Sequence, residues 1–113
     1  MSVEAKYLYL TTTGRRTGRP RRIEIWFTLH EGRYYLVAEH GRRAHWVQNL
    51  LADPCVRVRV GGRRFPGRAR VVDRGSERGL VATVRGLSEA KYGWGSGLVV
   101  EIGAAPARVS RVR

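Results

Sequence analysis

Period-two alternation recurs along this chain and confines it to a sheet-rich fold. From Arg22 to Leu29, Ile23, Ile25, Phe27 and Leu29 fall on one side and Glu24, Trp26 and Thr28 on the other, the pattern of a strand with one buried face. Cys55 to Val60 repeats it, with Val56, Val58 and Val60 inward and Arg57 and Arg59 outward. Val3 to Thr12 reads as an earlier strand. Tyr34 to Glu39 reads as the return from a short connection at Glu31-Gly32-Arg33, and Arg64 to Asp73 as the return from Gly61-Gly62. Gly97 to Gly103 is the last strand.

Two segments leave this rhythm for a helical one. Over Arg43–Leu51, Trp46, Asn49, Leu50 and then Asp53 fall on one face, and Asp53-Pro54 ends the helix. Over Ser76–Lys91, Leu80, Val84, Leu87 and Lys91 keep helical spacing behind Ser76 as N-cap. Gly79 and Gly86 weaken that helix by about 1 kcal/mol each relative to Ala. The order β-β-β-α-β-β-α-β predicts a mainly β (α+β) fold: a six-stranded antiparallel split β-barrel with two peripheral helices. With no internal repeat and no long linker, residues 1–113 read as a single domain.

Charge narrows the partners. Lys and Arg number 22 against 9 acidic residues, a formal +13, which favours nucleic acid, an acidic membrane surface or an anionic cofactor. Composition does not separate the three. The lone cysteine, Cys55, excludes an intrachain disulfide and a multi-cysteine zinc site, and beside Pro54 it reads as a small core residue. Tyr7-Leu-Tyr-Leu10 is too short for a signal segment, and no apolar run approaches the ~20 residues of a membrane span, so the expected location is the cytoplasm. His30 reads as a surface residue. Glu39, His40 and His45 lack a spacing that would gather three ligands, so no metal site is expected.

The stretch Thr11-Thr-Thr-Gly-Arg-Arg-Thr-Gly-Arg-Pro-Arg-Arg22 packs five arginines around a glycine-punctuated turn. Inward-turned amides at Gly14 and Gly18, hydroxyls at Thr13 and Thr17, and guanidinium forks suit a phosphate or polycarboxylate. The same residues also make an ordinary solvated hairpin loop. The turn is too short, and lacks the Gly-Lys-Ser/Thr ending, to hold a nucleoside triphosphate. Downstream, Val37-Ala-Glu-His-Gly41 ends a strand, and Trp46, Asn49 and Asp53-Pro54 follow on a short helix. Trp46 and Asn49 alone are ordinary, since a Trp on a short amphipathic helix is usually core.

Together the two segments resemble the deazaflavin-dependent nitroreductase family. Its members share an "L-T-T-x-G-R-x-[ST]-G-x-x-R" entry, a "V-A-S-x-G" strand end and a "W-x-x-N-L-x-A-x-P-x-V" helix and strand, in this order. The resemblance runs from Leu8 to about Val72 and returns at Lys91-Tyr92. It implies a flavin-reductase-like split barrel that binds the deazaflavin coenzyme F-420. Carried over, Arg15, Arg16, Thr17 and Gly18 would grip the anionic tail, with Arg21 and Arg22 reinforcing them. Ala38, Glu39, His40 and Gly41 would lie along the ring, with Trp46 and Asn49 shaping the wall. Tyr92 would either donate a proton after hydride transfer or cover the site.

The implied activity is that of an oxidoreductase passing a hydride to a small electron-poor acceptor: a quinone, a nitro compound or an enone. The alternative keeps the barrel but changes its ligand to FMN, which related split barrels bind through a similar turn, or to an anionic lipid; a basic nucleic-acid-binding barrel is a further alternative, although no specific nucleic acid is expected. The chain departs from the family pattern at Glu39, His40 and Arg42-Arg43-Ala44, where Ser, Lys and a Gly-rich loop with Pro are usual, and at Val47, where many members carry Tyr. The first strand is expected within about six residues of Met1, so the family's N-terminal covering helix is not expected here, and a homodimer is expected to cover the exposed sheet instead.

Overall fold

The computed structural model describes residues 5–105 of the chain. Strands β1 (Tyr7–Thr13), β2 (Pro20–Trp26), β3 (Thr28–His30), β4 (Arg33–Ala38), β5 (Cys55–Val60), β6 (Arg63–Val71) and β7 (Leu98–Ala104) form one antiparallel sheet. Its spatial order is β2-β1-β5-β6-β7-β4-β3. Val3 and Glu4, at the start of the first expected strand, lie outside the described residues. The sheet curls into a split barrel filled by Leu8, Leu10, Leu36, Leu50, Val58 and Ile102, all nearly inaccessible to solvent. Burying each such side chain stabilises the fold by roughly 1.5–3 kcal/mol.

The strand count is seven rather than six, because the run from Arg22 to Leu29 is not one strand. Phe27 and Thr28 are both buried, so the alternation slips by one residue and Leu29 emerges 42% exposed. The slip sends β2 to one edge of the sheet and β3 to the other. Tertiary bonding outcompetes local periodicity at this point. The Phe27 N–H donates to the Tyr92 hydroxyl at 3.0 Å, while the Phe27 carbonyl accepts from Tyr92 at 2.8 Å and from Lys91 Nζ at 2.9 Å.

Helix α1 (His45–Ala52), preceded by a 3-10 turn at Gly41–Arg43, plugs the barrel end with Val47, Asn49 and Leu50. Helix α2 (Arg78–Tyr92) covers the outer face of the β4–β7 region, packing Val81 and Val84 on Tyr35, Val72 and Val99. Its inward stripe is Val81, Val84 and Ser88 rather than the expected row through Leu80 and Leu87, which are only partly buried. Ser76 does not cap it. Its hydroxyl donates to Asp73 Oδ2 at 3.0 Å, and Glu77 is the N-cap residue. Gly93, at φ +78°, closes the helix in the left-handed conformation that glycine adopts without strain. Cys55 is exposed, not part of the core, because β5 turns its alternate positions outward.

Candidate active site

The β1–β2 turn is a built structure rather than a solvated loop. Gly14 N–H donates to the Arg19 carbonyl and Gly18 N–H to the Gly14 carbonyl, both at 2.8 Å, and Gly18 adopts φ +73°. Thr17 accepts the Arg19 N–H through Oγ1 at 3.1 Å, so this hydroxyl serves the turn. A Cβ at Gly14 would meet Thr17 Oγ1 at 3.0 Å and the Arg19 carbonyl at 3.1 Å, so a larger residue would press on the turn that these two groups hold together.

Asn49, buried on α1, fixes the turn to the helix. Its Oδ1 accepts from the Arg15 backbone N–H at 3.1 Å and from Arg15 Nη1 at 2.9 Å, and its Nδ2 donates to Thr12 Oγ1 at 3.1 Å. Arg15 Nη2 lies 3.3 Å from His45 Nδ1, which accepts because a guanidinium can only donate. Arg15 thus leaves the turn in one orientation. Around it opens a cavity of 380 Å³ lined by Arg15, Arg16, Thr17, Arg21, Trp46 and Asn49 among others.

A second, larger cavity of 510 Å³ opens where β2 parts from β4. Ile25, Trp26, Phe27, Val37, Ala38 and Trp46 make its walls chiefly apolar, and Glu39 and His40 stand at its rim with exposed side chains. Trp46 lines both cavities, so they meet at one side chain. Thr28 Oγ1, in the wall of the larger cavity, is buried and has no hydrogen-bond partner among the described residues. An orphaned hydroxyl of this kind costs roughly 1–3 kcal/mol unless something supplies a partner.

Most of the residues expected at the site converge on this double cavity. Arg15, Arg16, Thr17, Arg21, Trp46 and Asn49 line the basic part, while Ala38, Glu39, His40, Trp46 and Tyr92 line the apolar part. Gly18 and Gly41 shape the flanking turns without lining either cavity. Arg22 is not brought to the cleft. Period two turns it to the opposite face of β2 from Ile23, where its guanidinium sits 4.6 Å over the Tyr9 ring. Glu39 Oε1 lies 4.0 Å from His40 Nε2, and among the described residues it pairs with no arginine.

Tyr92 is strapped to the backbone. Beyond its bonds to Phe27, its hydroxyl donates to the Lys6 carbonyl, so two carbonyls compete for one proton. Its ring stacks on Trp26 with centroids 4.4 Å apart and planes within 2°.

Sequence reasoning missed Thr28, because the assumed alternation carried straight through Phe27 and turned it outward; Trp26 keeps its outward phase and lines the cavity mouth, which periodicity alone does not show. The phase slip became legible only with the strand pairings. No group of three or more metal-binding side chains occurs among the described residues.

Away from the cleft, Glu101 is buried in β7 between two neighbouring strands. It accepts from the Tyr35 hydroxyl at 2.7 Å, Arg70 Nε at 2.9 Å and Arg33 Nη1 at 3.1 Å. Arg70 also makes a bidentate pair with Glu77, both bonds at 2.8 Å. Burial alone would raise the Glu101 pKa, but the bonds from Arg70 and Tyr35 outweigh it and hold the carboxyl below its ordinary value. Burial, then the bond to Glu101, pushes the Tyr35 phenol up to about 12. The bonds from Arg70 and the Asp73 backbone bring Glu77 down to about 2.

Solved structures with this fold include an F420-H2 dependent reductase, FDR-A, at 25% identity and TM-score 0.68, covering 90% of this chain and 96% of that one. A conserved hypothetical protein of Mycobacterium tuberculosis (19%, TM-score 0.71, 90% of this chain and 74% of that one) and the heme storage protein HutZ of Vibrio cholerae (20%, TM-score 0.67, 92% and 84%) share the fold alone. An F420H(2)-dependent quinone reductase of Mycobacterium tuberculosis (strain ATCC 25618 / H37Rv) is 38% identical over 61 residues, 51% of this chain and 41% of that protein. This chain therefore matches well under half the length of that curated relative. The sequence model of the F420H(2)-dependent quinone reductase family matches residues 2–94, and the chain belongs to that family.

Proposed function

We propose that the protein passes a hydride from reduced coenzyme F-420 to a small planar acceptor of the quinone type. One observation carries this reading: an apolar cavity and a basic cavity meet at Trp46 in a single cleft. A flat heteroaromatic ring with an anionic tail needs both compartments, side by side. When bound, F-420 supplies the hydride.

The chain's own residues bind and orient. Arg15, Arg16 and Arg21 would hold the tail, arginine being suited to paired contacts with phosphate and carboxylate. Thr17 and Gly18 keep the turn in shape, while Gly41 and the 38–40 segment border the ring. The Thr28 hydroxyl has a proton to offer a carbonyl in the larger cavity. Tyr92 acts in this reading as a strap that sets the cleft's width, and the product's proton comes from water.

A homodimer belongs to the same reading, since Leu29 and Leu51 remain 42% and 50% exposed and a second copy would cover such apolar surface. A cytoplasmic location fits the unpaired Cys55 and the lack, among the described residues, of any helix long and apolar enough to cross a membrane.

The test is a titration of the purified protein with F-420 and, in parallel, with FMN, followed by tryptophan quenching. Saturable binding of F-420, tighter than that of FMN, is expected. A folded protein that binds FMN alone, or neither, overturns the proposal.

A further inference from the structure

The chain carries 22 Lys and Arg, yet among the described residues none of them lines the larger cavity. The cations crowd elsewhere. Arg15, Arg16 and Arg21 line the basic cavity, and Arg22, Arg57, Arg59 and Arg64 ring a hollow of 400 Å³ on the outer face of the sheet, where Arg59 stands directly opposite Arg64. The larger cavity has the reverse character. Apart from His40 at the rim, the charged side chains in its lining are two carboxylates, one from each strand whose parting opens it: Glu24 within β2 and Glu39 just past β4. Among the described residues Glu24 makes no ion pair, and Glu39 has only His40.

All three tryptophans of the chain, Trp26, Trp46 and Trp94, line this same cavity. Indole faces attract cations more strongly than any other side-chain ring. Two rings of the lining already do so from behind: Lys91 Nζ, outside the lining itself, sits 3.9 Å from the Phe27 centroid and 5.1 Å from that of Tyr92. Proton supply points the same way. The Tyr35 and Ser88 hydroxyls donate to Glu101 and to the Trp94 carbonyl, and two carbonyls compete for the Tyr92 proton. None of the three has a proton to spare for a product. A quinone that takes up a hydride becomes an anion and still needs a proton, whereas a cation that takes up a hydride is neutral and needs none.

We infer that the larger cavity is a site for planar organic cations, and that the acceptors it favours carry a positive ring charge in their oxidised form, as an N-alkylated acridinium does. The binding follows from the carboxylates and the indoles; reduction of the bound cation rests on the proposed function. In that step one hydride leaves the reduced coenzyme and forms one C–H bond at the central ring carbon of the acridinium, and the proton that the coenzyme also gives up passes to water. The uncharged product no longer feels Glu24 and Glu39 and leaves more readily than the cation that entered. The net charge of +13 opposes a cation at long range. That field is screened over about 8 Å at physiological salt, so the groups lining the cavity decide.

The experiment is calorimetric titration of the coenzyme-free protein with N-methylacridinium and, in parallel, with acridine, a flat tricycle of nearly the same shape that is uncharged in mildly alkaline buffer. The acridinium should bind about 30-fold more tightly, about tenfold of this from the two carboxylates and the rest from the rings. The double variant Glu24→Gln, Glu39→Gln should lose that tenfold for the acridinium and hold its affinity for acridine. Glu31→Gln, which alters an exposed carboxylate outside the cavity, should change neither. Added salt should weaken the acridinium alone, a reading of the same site that needs no substitution. Equal affinity for the two probes, or a double variant that binds the acridinium as the unmodified protein does, overturns the cation site whatever the F-420 titration gives. Loss of F-420 binding with the preference between probes intact upholds the cation site and overturns the proposed function instead.

Discussion

Under α2, the outer face of the sheet carries Tyr35, Glu101 and Arg70, bound to one another and through Glu77 to the start of the helix. On β1, β2 and β5 the same face carries Arg22, Arg57 and Arg59, none of which makes an ion pair among the described residues. Both halves are antiparallel ladder with alternating side chains, so strand geometry does not account for the difference. Counter-charge does. An arginine tied to a buried glutamate belongs to the fold, and one left among other arginines is available to something outside it.

The comparison breaks most sharply at Glu101. Glu101→Ala would leave the Tyr35 hydroxyl without its acceptor and strand Arg70. Because Arg33 and Arg70 are about half exposed and can turn to water, the loss should be about 2–3 kcal/mol, below the value for a fully buried pair. A lower urea midpoint at unchanged slope would register it.

Acid tests the same network without substitution. Glu77 and Glu101 both titrate lower in the folded state than in the unfolded one. The unfolded chain therefore binds more protons in that window, and stability falls as the pH drops from about 4.5 toward 2. A midpoint unchanged across that window would contradict the network.

Asn49→Ala sharpens the comparison with a third kind of arginine, one held by a neutral amide. It should cost about 2 kcal/mol, because Thr12 and the Arg15 N–H lose buried partners. It should also weaken F-420 binding at least tenfold, a combined readout in thermal melts and titration. Tyr92→Phe keeps the stack on Trp26 but leaves the Phe27 N–H without its acceptor. About 1 kcal/mol of stability should go, while single-turnover reduction proceeds at an unchanged rate. A large fall in that rate would instead make Tyr92 a proton donor. The smallest effect belongs to the bare half: Arg59→Thr should shift stability by no more than about 0.5 kcal/mol, in the stabilising direction if at all.

Much of this was legible in the sequence. The Cys55–Val60 alternation, the Gly61-Gly62 turn and the α1 segment each carry a local signal that nothing nearby contradicts. The basic turn and Trp46 were also readable, since glycine spacing and arginine density mark them. What escaped was decided by residues distant in the chain. The break at Phe27 depends on Lys91 and Tyr92, more than sixty positions away. The inward face of α2 depends on Tyr35 and Val99, and whether Arg22 joins the cleft depends on which side of one strand it leaves. Period two supplied that last answer, but density of charge was the stronger lure.

The break at Phe27 also bears on how the protein avoids sticking to itself. Because β2 and β3 end up at the two margins of one sheet, the cleft is flanked by strand edges whose backbone groups lack a ladder partner on one side. Such margins recruit further strands and seed aggregates. Here β2 opens with Pro20, which has no N–H to offer, and continues with Arg21 and Arg22, while β3 is only three residues long. The proline, the charges and the brevity make both margins poor templates, so the barrel stays open to a small ligand while resisting extension by a copy of itself.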